Sequence, residues 1–244
     1  MKVAWLTMAL GLILSLAAAA QTKSTTQVFE TAAGTVKITP IAHAAVRIDA
    51  AGKILYLDPA PPAKVTGLPP GDLILITDIH PDHLNADNLK ALSKTTTEIW
   101  GPPAVAKAYP RAKAIGIGTS AEWNGWKIET LNAYNLVRGP EPGKLYHDKG
   151  RGVGYVLTYG GKRFYFSGDT EVTSEMRALK NIDVAFVCMN LPFTMTPQEA
   201  AEGIKAFHPK VVIPYHYRGS DLTVLEKALA GTGIEVRLLD LYPQ

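Results

Sequence analysis

The chain has 244 residues, 47% of them hydrophobic and 19% charged, with a formal net charge of +3. That composition excludes a globally disordered chain and supplies enough apolar material for a sizeable core. The small charge and the absence of a Lys/Arg tract argue against nucleic acid or an anionic membrane as partner, and the single cysteine excludes an intramolecular disulfide.

Residues 1–20 read as a cleavable signal peptide. Lys2 is a short positive region, Val3 to Leu16 an apolar run, and Ala17 to Ala20 a small-residue site for cleavage before Gln21. The competing reading is an uncleaved anchor, since Val3 to Ala20 is just long enough to be considered. The expectation is a periplasmic or secreted protein of residues 21–244, with no stable membrane association after cleavage. Loss of Lys2 leaves that mature chain at +2.

Beyond the leader, short runs rich in Val, Ile, Tyr and Phe alternate with turn residues. They predict strands at Val36–Pro40, Ala44–Ile48, Lys53–Leu57, Leu73–Thr77, Lys127–Ala133, Gly154–Tyr159, Arg163–Ser167, Ile182–Cys188, Val211–Tyr215 and Glu235–Leu239. Gly52 and Gly160-Gly161 are expected hairpin turns. Ala60–Pro70 is rich in proline, lies between two strands and reads as a surface loop. Cys188, inside an apolar run, reads as a small buried hydrophobe.

Helices are expected at Asn88–Leu92, Val172–Leu179 and Asp221–Ala230. A fourth starts at Thr196-Pro197-Gln198-Glu199, where an N-cap Thr, a first-turn Pro and a Glu three residues on form a capping box. It should run to Phe207, before His208-Pro209. Early strands followed by strands with helices between them predict an α+β fold, two packed mixed β-sheets with helices on the outer faces.

The densest chemistry is Thr77-Asp78-Ile79-His80-Pro81-Asp82-His83, at the end of an apolar strand. Two His and two Asp within six residues supply imidazole and carboxylate groups that suit zinc, manganese or iron. Three further strands end in polar groups: Gly168-Asp169-Thr170, Tyr215-His216-Tyr217 and Tyr134-Asn135. Singly, Asp169 reads as a turn cap and His216 as a half-buried histidine. Together they describe a site on one rim of a sandwich.

The segment resembles the metallo-β-lactamase superfamily signature T-H-x-H-x-D-H. His43-Ala44-Ala45-Val46, Leu57-Asp58-Pro59, Gly154-Tyr155-Val156, Ser167-Gly168-Asp169-Thr170 and Pro214-Tyr215-His216-Tyr217 look like the branch that includes L-ascorbate-6-phosphate lactonase and related metal-dependent hydrolases. The resemblance implies an αββα sandwich, with His80, Asp82, His83, Asp169 and His216 as metal ligands. Asp78 stands where the first signature His is expected, and Asn135 at the expected mid-chain His. Both belong to one metal subsite, so the expectation is one tightly held ion, zinc first and Mn2+ or Fe2+ as alternatives, in the other subsite.

The implied activity is metal-assisted hydrolysis of a small ester, lactone or phosphoester, with a metal-bound hydroxide as nucleophile. Asp78, freed from ligation, is an expected general base, with Asp82 as the other catalytic carboxylate. Asp58 could orient a ligand histidine. His43 lies near the site by resemblance, and Tyr215 flanks a ligand. Tyr146, His147, Lys149 and Arg151 form a polar loop that either binds an anionic group or is simply solvated. The competing function is a non-catalytic metal- or small-molecule-binding protein with a degenerate site, motivated by Asp78 and Asn135.

Overall fold

A computed structural model describes residues 26–242, so the expected signal peptide lies outside the described residues. The first sheet takes its seven strands in chain order: β1 (Gln27–Thr31), β2 (Gly34–Ala42), β3 (Ala45–Ala50), β4 (Lys53–Leu57), β5 (Gly71–Leu75), β6 (Ser93–Gly101) and β7 (Lys113–Ala114). The second does the same with β8 (Ser120–Trp123), β9 (Trp126–Ala133), β10 (Gly152–Tyr159), β11 (Lys162–Phe166), β12 (Val184–Cys188), β13 (Val211–Tyr215) and β14 (Glu235–Val236). In each sheet the first four strands are antiparallel and the rest join in parallel.

Turn chemistry explains the antiparallel halves. Ala51-Gly52, Asn124-Gly125 and Gly160-Gly161 all have positive φ at both positions, the backbone that a two-residue hairpin requires. Asn124-Gly125 joins β8 to β9, and that pair is the signal for a strand that apolar patterning does not bring out. The parallel halves need crossovers, supplied by α1 (Ala86–Ala91) and α2 (Pro103–Ala108) in the first sheet and by α3 (Ser174–Arg177), α4 (Pro197–Phe207) and α5 (Leu222–Leu229) in the second.

Strand alternation divides the layers. Leu55, Leu57, Leu73 and Leu75 join the main core, while their neighbours Tyr56, Ile74 and Ile76 pack with Leu89, Leu92 and Val105 beneath α1 and α2. On the other side Ala200, Ile204 and Phe207 of α4 and Leu225 of α5 are buried, and Phe207 meets Tyr165 of β11 edge-on. The result is the expected αββα sandwich. The capping box forms, with Thr196 Oγ1 accepting the Glu199 N–H and the Glu199 carboxylate accepting the Thr196 N–H. Cys188 is fully buried on β12.

Differences from the sequence reading have local causes. β6 reads poorly because Lys94 to Thr96 at its front are polar and exposed. The helix expected over Val172–Leu179 spans only Ser174–Arg177, because Thr173 caps it from outside, its side chain accepting the Met176 N–H.

The two sheets are tied together at one rim. Thr77 C=O accepts the Val153 N–H, Ile76 C=O accepts the Tyr155 hydroxyl, and His43 C=O accepts the His216 N–H. These ties bring the ends of β2, β5, β10 and β13 to one place.

Candidate metal centre

The site is built from residues that follow strand ends. His43 follows β2, Asp58 follows β4, residues 77–83 follow β5, Asn135 follows β9, Asp169 follows β11 and His216 follows β13. His43, Asp58 and His216 have φ of 57°, 43° and 48°. A left-handed residue ends each strand abruptly; His and Asp tolerate that backbone better than branched residues, and such strain clusters at functional sites. Gly168 does the same before Asp169, where a Cβ would lie 2.5 Å from Val153 O. Its N–H donates to the Tyr215 hydroxyl at 2.8 Å, so Tyr215 holds the turn that presents Asp169.

Asp169 is the centre of the arrangement. Its Oδ1 lies 3.4 Å from His216 Nε2, and its Oδ2 lies 3.3 Å from His83 Nε2 and 3.1 Å from His147 Nε2. Asp82 adds Oδ2 at 3.4 Å from His216 Nε2 and Oδ1 at 3.9 Å from His83 Nε2. On the other flank Asp78 Oδ2 is 3.5 Å from His80 Nδ1 and 4.0 Å from His147 Nε2. His83, Asp169 and His216 form one group able to hold an ion, with donor atoms all within 4.8 Å of one another; His43, Asp82 and His216 form an overlapping group on the same flank, and Asp78, His80 and His147 form one on the other.

A surrounding set of hydrogen bonds orients these donors. The buried Asp58 carboxylate accepts the Thr77 N–H at 2.8 Å and the Thr77 hydroxyl at 2.6 Å. Its Oδ2 also accepts Nδ1–H of His83 at 2.9 Å, which leaves His83 Nε2 aimed inward. His43 Nε2–H donates to Asp82 Oδ2 at 3.0 Å, while its Nδ1 accepts the Tyr242 hydroxyl at 2.6 Å.

Asn135 is not among the converging donors, and the mid-chain histidine of the site is His147. Asn135 Oδ1 accepts both the His147 N–H at 2.8 Å and Nδ1–H of the ring at 2.6 Å, so Asn135 orients a histidine rather than standing in for one. Glu171 anchors the loop between them, its carboxylate accepting the N–H groups of Leu136, Val137 and Arg138. Arg151 also lies at the site, paired with Asp78. The sequence did mark His147 and Arg151, but as members of a polar loop; nothing local says that this loop folds back over the rim.

The chemistry of the donor set fits a divalent cation. His83 Nε2, Asp169 Oδ1 and His216 Nε2 are buried and have no hydrogen-bond partner. Buried polar atoms without partners are costly unless something else satisfies them. Tetrahedral ligands on zinc bonds of about 2.0–2.2 Å stand about 3.4 Å apart, and the 3.4 Å between Asp169 Oδ1 and His216 Nε2 matches that spacing.

Electrostatics agree. Burial opposes a charge on His83, but the carboxylates of Asp169 and Asp58 outweigh it and hold the imidazole pKa well above its usual value. Burial likewise opposes charge on Asp169, yet His216 and His83 keep it ionised far below the ordinary carboxylate range. Asp82 is also lowered: burial works against this, and the adjacent imidazoles of His216 and His43 prevail. Burial lowers the pKa of His80. In the metal-free chain a proton on His83 therefore sits where a cation would.

The sign follows. That proton contributes stability below the unfolded value of about 6.5, lost as pH rises through the raised folded value, and it must leave before Nε2 can ligate. Ion uptake near pH 7 is expected to release about one proton per ion and to weaken about tenfold per pH unit on acidification. Calorimetric titration in buffers of different ionisation enthalpy measures this; uptake without proton release contradicts it.

A cleft of about 390 Å³ opens over these groups, with His80, Asp82, His147, Asp169 and His216 on its polar side. Pro140, Leu145, Tyr146 and Phe193 form its apolar wall, and the last two rings pack edge-on with centroids 5.0 Å apart.

Comparison with known proteins gives the family. The profile of the Beta-lactamase superfamily domain matches residues 37–216. A UPF0173 metal-dependent hydrolase of Anaeromyxobacter dehalogenans is 30% identical, covering 84% of this chain and 81% of its own. Another from Methanopyrus kandleri is 26% identical over 85% of this chain and 97% of that one. Among solved structures, a proposed metal-dependent hydrolase of Parabacteroides distasonis superposes with a TM-score of 0.85 at 36% identity, covering 90% of this chain and all of its own. A metallo hydrolase of Ignicoccus hospitalis shares the fold, with a TM-score of 0.69 at 23% identity over 84% of this chain and 94% of that one.

Proposed function

Since the chain belongs to the metallo-β-lactamase superfamily as a metal-dependent hydrolase, we propose that it uses one divalent ion, zinc first and Mn2+ or Fe2+ as alternatives, to hydrolyse a small ester, lactone or phosphoester. The observation that carries this reading is the set of three buried, partnerless atoms, His83 Nε2, Asp169 Oδ1 and His216 Nε2, in one group. With Asp82 they are the residues that would hold the ion. When bound, a divalent ion acidifies water and polarises the substrate oxygen.

The chain's own residues divide the remaining work. Asp82 faces the cleft with its side chain 39% exposed, and His43 secures its Oδ2. Its other oxygen is placed to orient the attacking water and take its proton. Asp78 is poorly placed for that role, because both its oxygens already accept hydrogen bonds from Arg151 and Oδ1 also accepts the Ile79 N–H. The apolar wall of Tyr146 and Phe193 suits the hydrocarbon part of a substrate and keeps bulk water from it.

The test is hydrolysis of a panel of lactones, carboxylic esters and phosphodiesters by the purified chain, before and after chelation. Turnover on one class should fall at least about a hundredfold on metal removal and return with zinc, manganese or iron. Turnover that survives complete removal of metal contradicts the proposal. Stoichiometric metal with no turnover on any class favours the non-catalytic binder instead.

A further inference from the structure

The two groups of donors share a neighbour in Asp169 but differ in what they leave open. In the group of His83, Asp169 and His216, four buried atoms lack hydrogen-bond partners, both ring nitrogens of His216 among them. In the group of Asp78, His80 and His147, both oxygens of the carboxylate already accept from a cationic side chain. Arg151, directly before β10, makes two parallel hydrogen bonds to Asp78, Nε to Oδ1 at 3.0 Å and Nη2 to Oδ2 at 2.8 Å. The same Nη2 donates to the Tyr146 carbonyl at 2.9 Å and lies 3.3 Å from His80 Nε2. Asp78 is only 2% exposed, and no other cationic side chain except the imidazoles of His80 and His147 pairs with it among the described residues.

We propose that Arg151 is a built-in cation: its guanidinium, clamped on Asp78, takes the place of a second divalent ion, so that the chain holds one ion and not two. This rests on the reading of His83, Asp169 and His216 as a metal centre. Three physical arguments support it. A guanidinium fork matches a carboxylate bidentately, which a histidine at position 78 could not accept, so Asp78 and Arg151 make sense as a pair. The guanidinium is covalently part of the chain and cannot dissociate as a bound ion can, so the substitution for an ion is permanent. An ion seated on Asp78, His80 and His147 would have to take Asp78 Oδ2 from Arg151 and then sit against its positive charge. Arg151 also pins the Tyr146 carbonyl, one residue from His147. It is therefore a positioning residue for the loop as well as a charge for the site.

The experiment counts ions and locates them. Wild-type chain dialysed against excess zinc and then freed of loose metal should retain about one zinc per chain. Anomalous diffraction should place it beside His83, Asp169 and His216. Arg151→Met keeps length and removes charge, leaving Asp78 buried and unpaired; it should retain about two zinc ions, the second beside Asp78, His80 and His147. Arg151→Lys restores a cation and should return the count to about one. Two ions in the wild type, or one ion in a folded Arg151→Met chain, overturns the proposal. Should Arg151→Met fail to fold, the wild-type anomalous map decides alone: a single peak beside His83 supports it, and a peak beside Asp78 overturns it. A wild type that holds no zinc, manganese or iron overturns the metal-centre reading itself, so the two failures are distinguishable.

Discussion

Asp169→Ala is expected to weaken the metal centre about a hundredfold and to lower the activity with it. This carboxylate reaches His216 with one oxygen and both His83 and His147 with the other, at 3.1–3.4 Å. Among the described residues no other carboxylate pairs with all three imidazoles. A four-ligand structural zinc site contributes about 10–16 kcal/mol, so one ligand accounts for roughly 3 kcal/mol, or about a hundredfold in affinity. Asp169 also supplies the negative charge on which the raised His83 pKa depends, so the variant should release fewer protons on whatever ion it takes up. Turnover should fall at least about a hundredfold, in step with the metal. Competition with a chromophoric chelator reads the affinity, circular dichroism checks the fold, and turnover is measured on the same preparation. A folded Asp169→Ala chain with parent affinity and turnover would remove Asp169 from the centre.

Asp58→Ala should cost both stability and metal. Asp58 is fully buried and accepts from Thr77 N–H, Thr77 Oγ1–H and His83 Nδ1–H. Alanine leaves three buried donors without an acceptor, each worth about 1–3 kcal/mol, with a total on the order of 3–5 kcal/mol. At about 2–4 °C per kcal/mol for a chain of this size, Tm should drop by roughly 6–20 °C. Loss of an outer carboxylate behind a ligand histidine typically weakens metal affinity about 10–100-fold. A purely structural role for Asp58 would lower Tm yet leave affinity intact when both proteins are folded, so affinity is compared well below the lower Tm. Asp58→Asn, which keeps one oxygen acceptor for the Thr77 N–H, should recover more stability than affinity. Parent-level Tm in Asp58→Ala would show that the Thr77 loop finds other partners.

Much of this centre was legible before any tertiary contact was known. A candidate ligand at a strand end announces itself locally, because apolar alternation stops and polar groups begin; Asp78 to His83, Asp169 and His216 all show that pattern. The capping box of α4 and the glycine turns are equally local, set by backbone angles and hydrogen bonds within four residues. Asp58 and Tyr215 sit beside such ends, and their supporting contacts are short extensions of the same pattern.

His147, Arg151 and the division of labour between the two groups of donors were decided only by the tertiary structure. Residues between Asn135 and Arg151 carry no periodicity, so nothing sets where a side chain twelve residues along that loop returns in space. The path is fixed by distant partners: Glu171 gathers the N–H groups of residues 136–138, and Asn135 receives His147. The sequence aligned a histidine position with Asn135 by order along the chain, whereas the site required a nitrogen at a point in space, and an amide that orients an imidazole satisfies that as well as an imidazole placed directly. Whether Asp78 acts as base, ligand or charge partner depends on which cation reaches it, and Arg151 is 73 residues away in sequence. Long-range electrostatics of this kind leaves no local pattern to read, because the pairing exists only once the two sheets close on each other.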